Sequence, residues 1–187
     1  MSLSLEAALE QHRQTMARVA DLAEPVARAR QRLQQTFAAG GTVYVCGNGG
    51  SAADAQHFAA ELTGRYERDR PGHPAVALTT DSSALTAIAN DYGFERIFAR
   101  QLESLGRPGD LLVLISTSGN SANLLETARQ ARSQDIASIG LLGRDGGALA
   151  AEVDIALVVK AERTSRIQEA HIFLLHYLCE VFEPPRS

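Results

Sequence analysis

Val43-Tyr44-Val45-Cys46-Gly47-Asn48-Gly49-Gly50-Ser51-Ala52 is a short apolar run that leads into a glycine-rich turn. Apolar runs of this length, rich in Val, Ile and Leu, are typical of strands buried on both faces of a parallel sheet. The same order recurs downstream, where the run Leu111–Ile115 leads into Ser116-Thr117-Ser118-Gly119-Asn120-Ser121. Both stretches predict a buried strand followed by a polar loop and a helix.

Strand and helix patterns alternate along the chain around these two stretches. The predicted strands are Val43–Cys46, Ala75–Leu78, Leu111–Ile115, Ala137–Leu142 and Ile155–Val159. The predicted helices between them are Ala52–Gly64, Ser83–Ala89, Glu95–Leu105 and Ala122–Ser133. Such alternation predicts an α/β fold, here a three-layer αβα sandwich around a parallel sheet. Because ligands of these sheets bind beyond the carboxyl ends of the strands, the loops after the first three strands are the candidate site.

Further helices precede and follow this core. Apolar residues recur at helical spacing from Leu5 to Leu22, and Glu24-Pro25 opens a second run that Gly40-Gly41 ends. Neither helix could bury its apolar stripe alone, so both must pack on the domain or on another subunit. A last helix is expected from about Ser165 to Phe182, closed by Pro184-Pro185. We predict one domain over residues 1–187, with N-terminal helices in 3–39, a sheet core in 42–160 and a C-terminal helix in 164–183.

Composition narrows the class of protein. The 187 residues are 45% hydrophobic and 21% charged, enough for a substantial core. The net charge of −4 argues against a nucleic-acid surface. The two cysteines, Cys46 and Cys179, lie far apart, as suits a reducing compartment. We see neither an apolar signal core at the start nor a run long enough to span a membrane, so we expect a cytoplasmic protein.

The two polar loops are candidate phosphate sites. Three glycines, Gly47, Gly49 and Gly50, let the backbone approach an anion at a helix N-terminus. The loop lacks the Lys-Ser/Thr of a Walker motif, and a tight turn with Ser51 as helix cap would explain it equally well. The second loop offers four hydroxyls, from Ser116, Thr117, Ser118 and Ser121, where a helix cap needs one. Two such loops at strand ends favour a sugar-phosphate site.

A second set of residues could hold a metal ion. His57 and Glu61 are four residues apart on a predicted helix, so both project from one face. This geometry suits two ligands of one ion, but also a surface hydrogen bond. The last helix adds Gln168, His171 and His176 among apolar residues. Gln168 and His176 are separated by a rise of about 12 Å, and spacing alone leaves His171 as a rival ligand.

The motif Gly47–Ala52 followed by Asp54, together with the run Ser116–Ser121, resembles the SIS (sugar isomerase) domain. In that family the hydroxyl-rich loop holds the phosphate of a phosphosugar. The pattern His57-x-x-x-Glu61 with Arg166-Ile167-Gln168-Glu169-x-His171 and His176 is similar, more specifically, to the phosphoheptose isomerase family. The resemblance covers nearly the whole chain and implies a homotetramer.

This resemblance implies a function and a set of site residues. The reaction would interconvert sedoheptulose 7-phosphate and D-glycero-D-manno-heptose 7-phosphate through an enediol, the first step toward nucleotide-activated heptose. One Zn²⁺ per subunit would be bound by His57, Glu61, Gln168 and His176. Glu61 and His176 would form the acid/base pair. The substrate would contact Asn48, Gly49, Gly50, Ser51, Glu61, Asn90, Asp91, Ser116, Thr117, Ser118, Ser121 and Gln168. Asp91, in a predicted loop, would orient sugar hydroxyls.

One alternative function stays open on the sequence. A relative of these isomerases with the same fold and tetrameric assembly is a non-enzymatic partner of the bacterial replication initiator, and Glu61 favours the enzyme over it.

The cluster Arg65, Arg68 and Arg70 alternates with acidic residues, which indicates a solvated loop or a subunit contact rather than a ligand site.

Overall fold

The computed structural model describes residues 3–183, and Pro184-Pro185 lie outside that range. Its sheet has five strands, all parallel, in the order β2-β1-β3-β4-β5. The strands are β1 (Val43–Gly47), β2 (Ala75–Ala77), β3 (Leu111–Ser116), β4 (Ala137–Gly143) and β5 (Ile155–Val159). The α-helices are α1 (Leu5–Val19), α2 (Ala23–Ala38), α3 (Gly50–Thr63), α4 (Ser82–Tyr92), α5 (Ala99–Leu105), α6 (Ala122–Ser133) and α7 (Thr164–Cys179). The predicted five-stranded parallel αβα architecture is confirmed.

Alternating side chains of the strands form two hydrophobic cores, one on each face of the sheet. In β1, Val43 and Val45 pack with α2, α3 and α7, whereas Tyr44 and Cys46 pack with α5 and α6. The central strands β1 and β3 are buried throughout, because helices cover both of their faces. The two leading helices pack outside the sheet, α2 against β5 and α1 against α7.

Several element ends differ from the prediction, and each has a local cause. The first core helix begins at Gly50, because Gly49 (φ +56°) makes the turn as its N-cap, so Ser51 is not the cap. The helix α4 continues to Tyr92 and ends where Gly93 adopts φ +93°, which places Asn90 and Asp91 in a helix and not in a loop. The predicted helix Glu95–Leu105 is divided into a 3₁₀ turn and α5.

The helix α1 has little of its own surface buried. Ser4 caps it by accepting a hydrogen bond from the N–H of Ala7 at 3.2 Å. Its apolar residues Leu5 and Leu9 are 77% and 56% exposed, whereas Ala29 and Leu33 of α2 are fully buried. Among residues 3–183, every helix is too short or too polar to cross a bilayer.

Candidate functional site: a His-Glu-His cluster beside two polar loops

The two polar loops lie side by side at one edge of the sheet. They follow β1 and β3, which are neighbours although β2 comes between them in the chain. This is the point where the strand order reverses, the usual position of ligands in open α/β sheets. A reciprocal amide pair joins the loops: Asn48 donates to Asn123 at 2.9 Å, and Asn123 donates back to Asn48 at 2.8 Å.

The loop after β3 is held by its own side chains. The hydroxyl oxygen of Ser116 accepts from the N–H of Gly119 at 3.0 Å, and that of Ser118 accepts from Asn120 at 3.3 Å. Gly119 has φ +65°, and a Cβ there would overlap with the carbonyl of Gly146. Ser121 occupies the N-cap position before α6, but its side chain makes no capping hydrogen bond, so its hydroxyl is not engaged by the helix. The hydroxyls of Ser116 and Ser118 therefore stabilise the backbone of this loop.

The glycine turn after β1 is pressed against the last helix. The side-chain amide of Gln168 lies directly against Gly50, and a Cβ at Gly50 would overlap with that amide. Ser51 is buried and its N–H donates to the carbonyl of Asn48 at 3.0 Å. At Gly143, a Cβ would collide with Ile167 and with the backbone of Thr117. The N-terminal half of α7 therefore lies against the glycine turn through Gln168 and against Gly143, at the end of β4, through Ile167.

Three predicted metal ligands converge between α3 and α7. The Nε2 atom of His57 lies 3.1 Å from a carboxylate oxygen of Glu61 and 3.0 Å from Nε2 of His176. One ligand atom from each residue lies within 4.8 Å of the others. Zinc bonds of about 2.0–2.1 Å place two ligand atoms of a tetrahedral site roughly 3.3 Å apart. The three side chains therefore fit one ion, and their nitrogen and oxygen donors are of the type that zinc takes.

His171, the rival ligand, is not part of this cluster. Its side chain is fully buried, and within residues 3–183 neither ring nitrogen has a hydrogen-bond partner at normal distance. Burial lowers the pKa of His171 to about 4, a shift that the backbone of Leu142 opposes. Spacing alone could not separate His171 from His176, because both lie on one helix, and the packing agrees with the choice of His176 that the family resemblance implied.

Two other ionisable groups lie near the cluster. Burial raises the pKa of Cys179 to about 12, with the charge of Glu61 acting in the same direction, so this thiol stays protonated. Burial raises the pKa of Asp54, opposed by His57, and one carboxylate oxygen of Asp54 is buried without a hydrogen-bond partner in the described part of the chain. The ring centroids of Tyr66 and His176 lie 5.7 Å apart.

Other predicted and unpredicted residues complete the description. Asn90 and Asp91 lie at the exposed end of α4, where the amide of Asn90 donates to the carboxylate of Asp91 at 2.8 Å. Sequence reasoning missed Asn123, although an Asn two residues after the hydroxyl-rich loop was a usable signal. It also missed Tyr66, and no pattern in the sequence indicates that this ring lies near His176.

The chain is similar to known proteins of one family over most of its length. The family model described as "SIS domain" matches residues 9–143. The phosphoheptose isomerase of Helicobacter hepaticus is 51% identical over 183 residues, covering 98% of this chain and 93% of the relative.

Two solved structures extend the comparison to three dimensions. The phosphoheptose isomerase of Neisseria gonorrhoeae superposes with a TM-score of 0.85 at 48% identity, covering 95% of this chain and 97% of that one. That of Francisella tularensis gives a TM-score of 0.91 at 38% identity, covering 95% of both chains. The chain belongs to the SIS-domain family and, within it, to the phosphoheptose isomerases.

Proposed function

We propose that this chain interconverts sedoheptulose 7-phosphate and D-glycero-D-manno-heptose 7-phosphate, with Zn²⁺ held by His57, Glu61, Gln168 and His176. The observation that carries the proposal is the convergence of His57, Glu61 and His176. It lies in a chain half identical, over almost its full length, to phosphoheptose isomerases. Gln168, on the same helix as His176 and against Gly50, completes the proposed ligand set.

The phosphate is assigned to the loop Ser116–Ser121. Serine and threonine hydroxyls and the free N–H groups at the start of α6 are donors to an anion. Neutral donors also explain how a chain of net charge −4 can bind a phosphate without a basic surface. The glycine turn Asn48–Ser51, at the end of the neighbouring strand, would contact the carbon chain of the sugar. Asn90 and Asp91 would contact the hydroxyls of the sugar.

The reaction moves one proton between two adjacent carbons. A base removes a proton from C1 of the ketose while the C2 carbonyl oxygen gains one, which gives an enediol. Return of a proton to C2 with loss of the O1 proton gives the aldose. Glu61 would take and return the carbon-bound proton, and His176, whose Nε2 lies 3.0 Å from Nε2 of His57, would exchange protons with the oxygens. Bound zinc would supply polarisation of the oxygens and stabilise negative charge on them.

The assembly proposed is a homotetramer in the cytoplasm. Leu5 and Leu9 of α1 are exposed, and an apolar groove beside α1 is lined by Met16, Val19, Ala23, Phe173 and Tyr177. Such a surface is expected to be covered by another subunit. Both cysteines are free and buried, in keeping with a reducing compartment.

The experiment that tests the function is direct. Zinc-loaded protein is incubated with sedoheptulose 7-phosphate, and ¹³C NMR follows the appearance of an aldoheptose phosphate. Absence of product would reject the proposed reaction. A pull-down against the replication initiator would then test the non-enzymatic alternative, which the isomerase relatives do not favour.

A further inference from the structure

The loop between α3 and β2 carries an arginine that its charge pattern predicts to be solvated, but that the fold buries. The side chain of Arg70 is only 6% exposed. Its guanidinium donates to the carbonyl oxygen of Glu61 at 2.7 Å and to that of Leu62 at 3.1 Å. A third bond goes to the carbonyl oxygen of Pro71 at 3.1 Å. The expectation of a solvated loop is therefore wrong for Arg70.

These contacts pair carbonyl groups at the end of α3, the helix that carries His57 and Glu61. The last four carbonyls of an α-helix have no partner within the helix. In α3, Gly64 donates to Ala60, and His73 and Arg70 both donate to Leu62. The carbonyl of Glu61 accepts from Arg70. The planar guanidinium has several N–H donors in a fixed arrangement and bonds the neighbouring carbonyls of Glu61 and Leu62 at once, whereas a lysine offers a single ammonium group.

The same arginine is linked to the end of the second ligand helix. Glu183 follows α7 and the short 3₁₀ turn Glu180–Phe182. Its carboxylate lies 3.6 Å from Nε of Arg70 and accepts the backbone N–H of Arg68 at 2.9 Å. The buried side chain of Arg70 thus connects two places: the end of α3, the helix that carries Glu61, and the segment that follows α7, the helix that carries His176.

We propose that Arg70 is a positioning residue that fixes Glu61 relative to His176 by joining the ends of their two helices. The expected effect on turnover rests on the proposed function, whereas the contacts of Arg70 between the two helix ends do not depend on that function. Helix ends fray when their carbonyls are unpaired, and a displacement of about 1 Å at a reacting group can cost on the order of 100-fold in rate. Arg70 acts through the backbone of Glu61 and touches no reacting atom.

The test uses Arg70→Lys, which keeps the charge and removes the fork. In zinc-free protein, amide hydrogen exchange at residues 61–64 should become at least ~10-fold faster. The Kd for zinc should rise ~10-fold, and kcat should fall ~10-fold with KM within about twofold, as for other residues that support metal ligands. The matched control is Arg132→Lys. Arg132 also bonds a carbonyl and a carboxylate, both of Glu152, but is 62% exposed and remote from the site.

A lower melting temperature with unchanged zinc Kd and unchanged kcat would show that Arg70 only stabilises the fold, and would overturn the inference. If Arg70→Lys does not fold, Glu183→Gln tests the same connection with the arginine in place and should give the same changes in smaller measure. A parent protein without isomerase activity would reject the proposed function, while amide exchange and zinc affinity would still decide whether Arg70 positions the cluster.

Discussion

The Nε2 atoms of His57 and His176 lie 3.0 Å apart, although 119 positions separate the two residues in the chain. Two imidazole nitrogens at this distance either share one proton or hold one metal ion between them. Because Glu61 contributes an oxygen to the same point, the arrangement has the donors of a zinc site.

Replacing a ligand should remove zinc. We expect His57→Asn to retain less than about a tenth of the parent's zinc after dialysis, because a tetrahedral site that loses an imidazole loses much of its affinity. Zinc is measured by mass spectrometry of the folded protein. His171→Leu serves as control and should keep the parent's content. Zinc loss with His171→Leu and not with His57→Asn would contradict the assignment.

Neutralising Glu61 should abolish turnover. Glu61→Gln keeps the size of the side chain but removes the proton acceptor, and general acid–base catalysis typically contributes ~100- to 10,000-fold. We expect kcat to fall by at least ~100-fold with the circular dichroism spectrum unchanged, and zinc content is measured in parallel. Glu103→Gln, which neutralises an exposed carboxylate on α5, should be without effect. Near-normal turnover of Glu61→Gln would exclude it as the base.

Loss of two hydroxyls should weaken binding of the phosphate. Ser116 and Ser118 each hold a backbone N–H of the loop, so the double alanine variant loses donors to the ligand and loosens the loop. We expect KM to rise at least ~10-fold, equivalent to about 1.4 kcal/mol, with zinc content unchanged. Ser133→Ala, at the exposed end of α6, is the control. An unchanged KM would place the phosphate elsewhere.

Stability should depend on pH through His171. The folded protein keeps this imidazole neutral down to about pH 4, whereas an unfolded chain protonates it below its ordinary pKa of 6.5. The unfolded state therefore binds more protons, and the free energy of unfolding should decrease as pH falls from 6.5 to 4, by about 2–3 kcal/mol.

Urea unfolding at pH 7 and pH 4.5 measures this loss. His171→Leu should lose less stability than the parent between the two values. Burial lowers the pKa of His73 as well, but His73 is present in both proteins, so the comparison isolates His171. Equal losses would show that His171 does not titrate in this way.

Charges on α1 should disrupt the assembly. Leu5→Lys combined with Leu9→Lys places two cations on the exposed apolar face of α1. We expect sedimentation at micromolar concentration to show a tetramer for the parent and smaller species for the variant. Leu105→Lys, an exposed leucine on α5, should leave the tetramer intact. A monomeric parent would reject the proposed assembly.

Much of the fold could be predicted, because buried parallel strands are recognisable from composition alone. The limits of α6 and β5 agree with the expectation, and the other strands agree to within a residue. Element ends were less predictable where glycines act. With Gly49 as its cap, α3 starts two residues earlier than predicted, and α4 continues through Asn90 and Asp91 until Gly93.

The site was only partly predictable, because its parts are long-range contacts. The i, i+4 spacing indicated His57 and Glu61, but spacing could not choose between His171 and His176: the family resemblance chose His176, and the packing of α7 on α3 places it beside His57. Alternating charge wrongly placed Arg70 in solvent, since the pattern carries no information about the unpaired carbonyls of α3. The Asn48–Asn123 pair depends on β1 and β3 being neighbours, which the order of strands in the sequence does not give.

The overlap that any Cβ at Gly50 would make with Gln168 has a consequence for synthesis on the ribosome. The chain emerges from its N-terminus, so the glycine turn, His57 and Glu61 are made long before α7. Until α7 docks, Gly50 has an open face and the ligand cluster has no His176. A nascent or prematurely released polypeptide without α7 lacks His176 and Gln168, and therefore cannot assemble the proposed site.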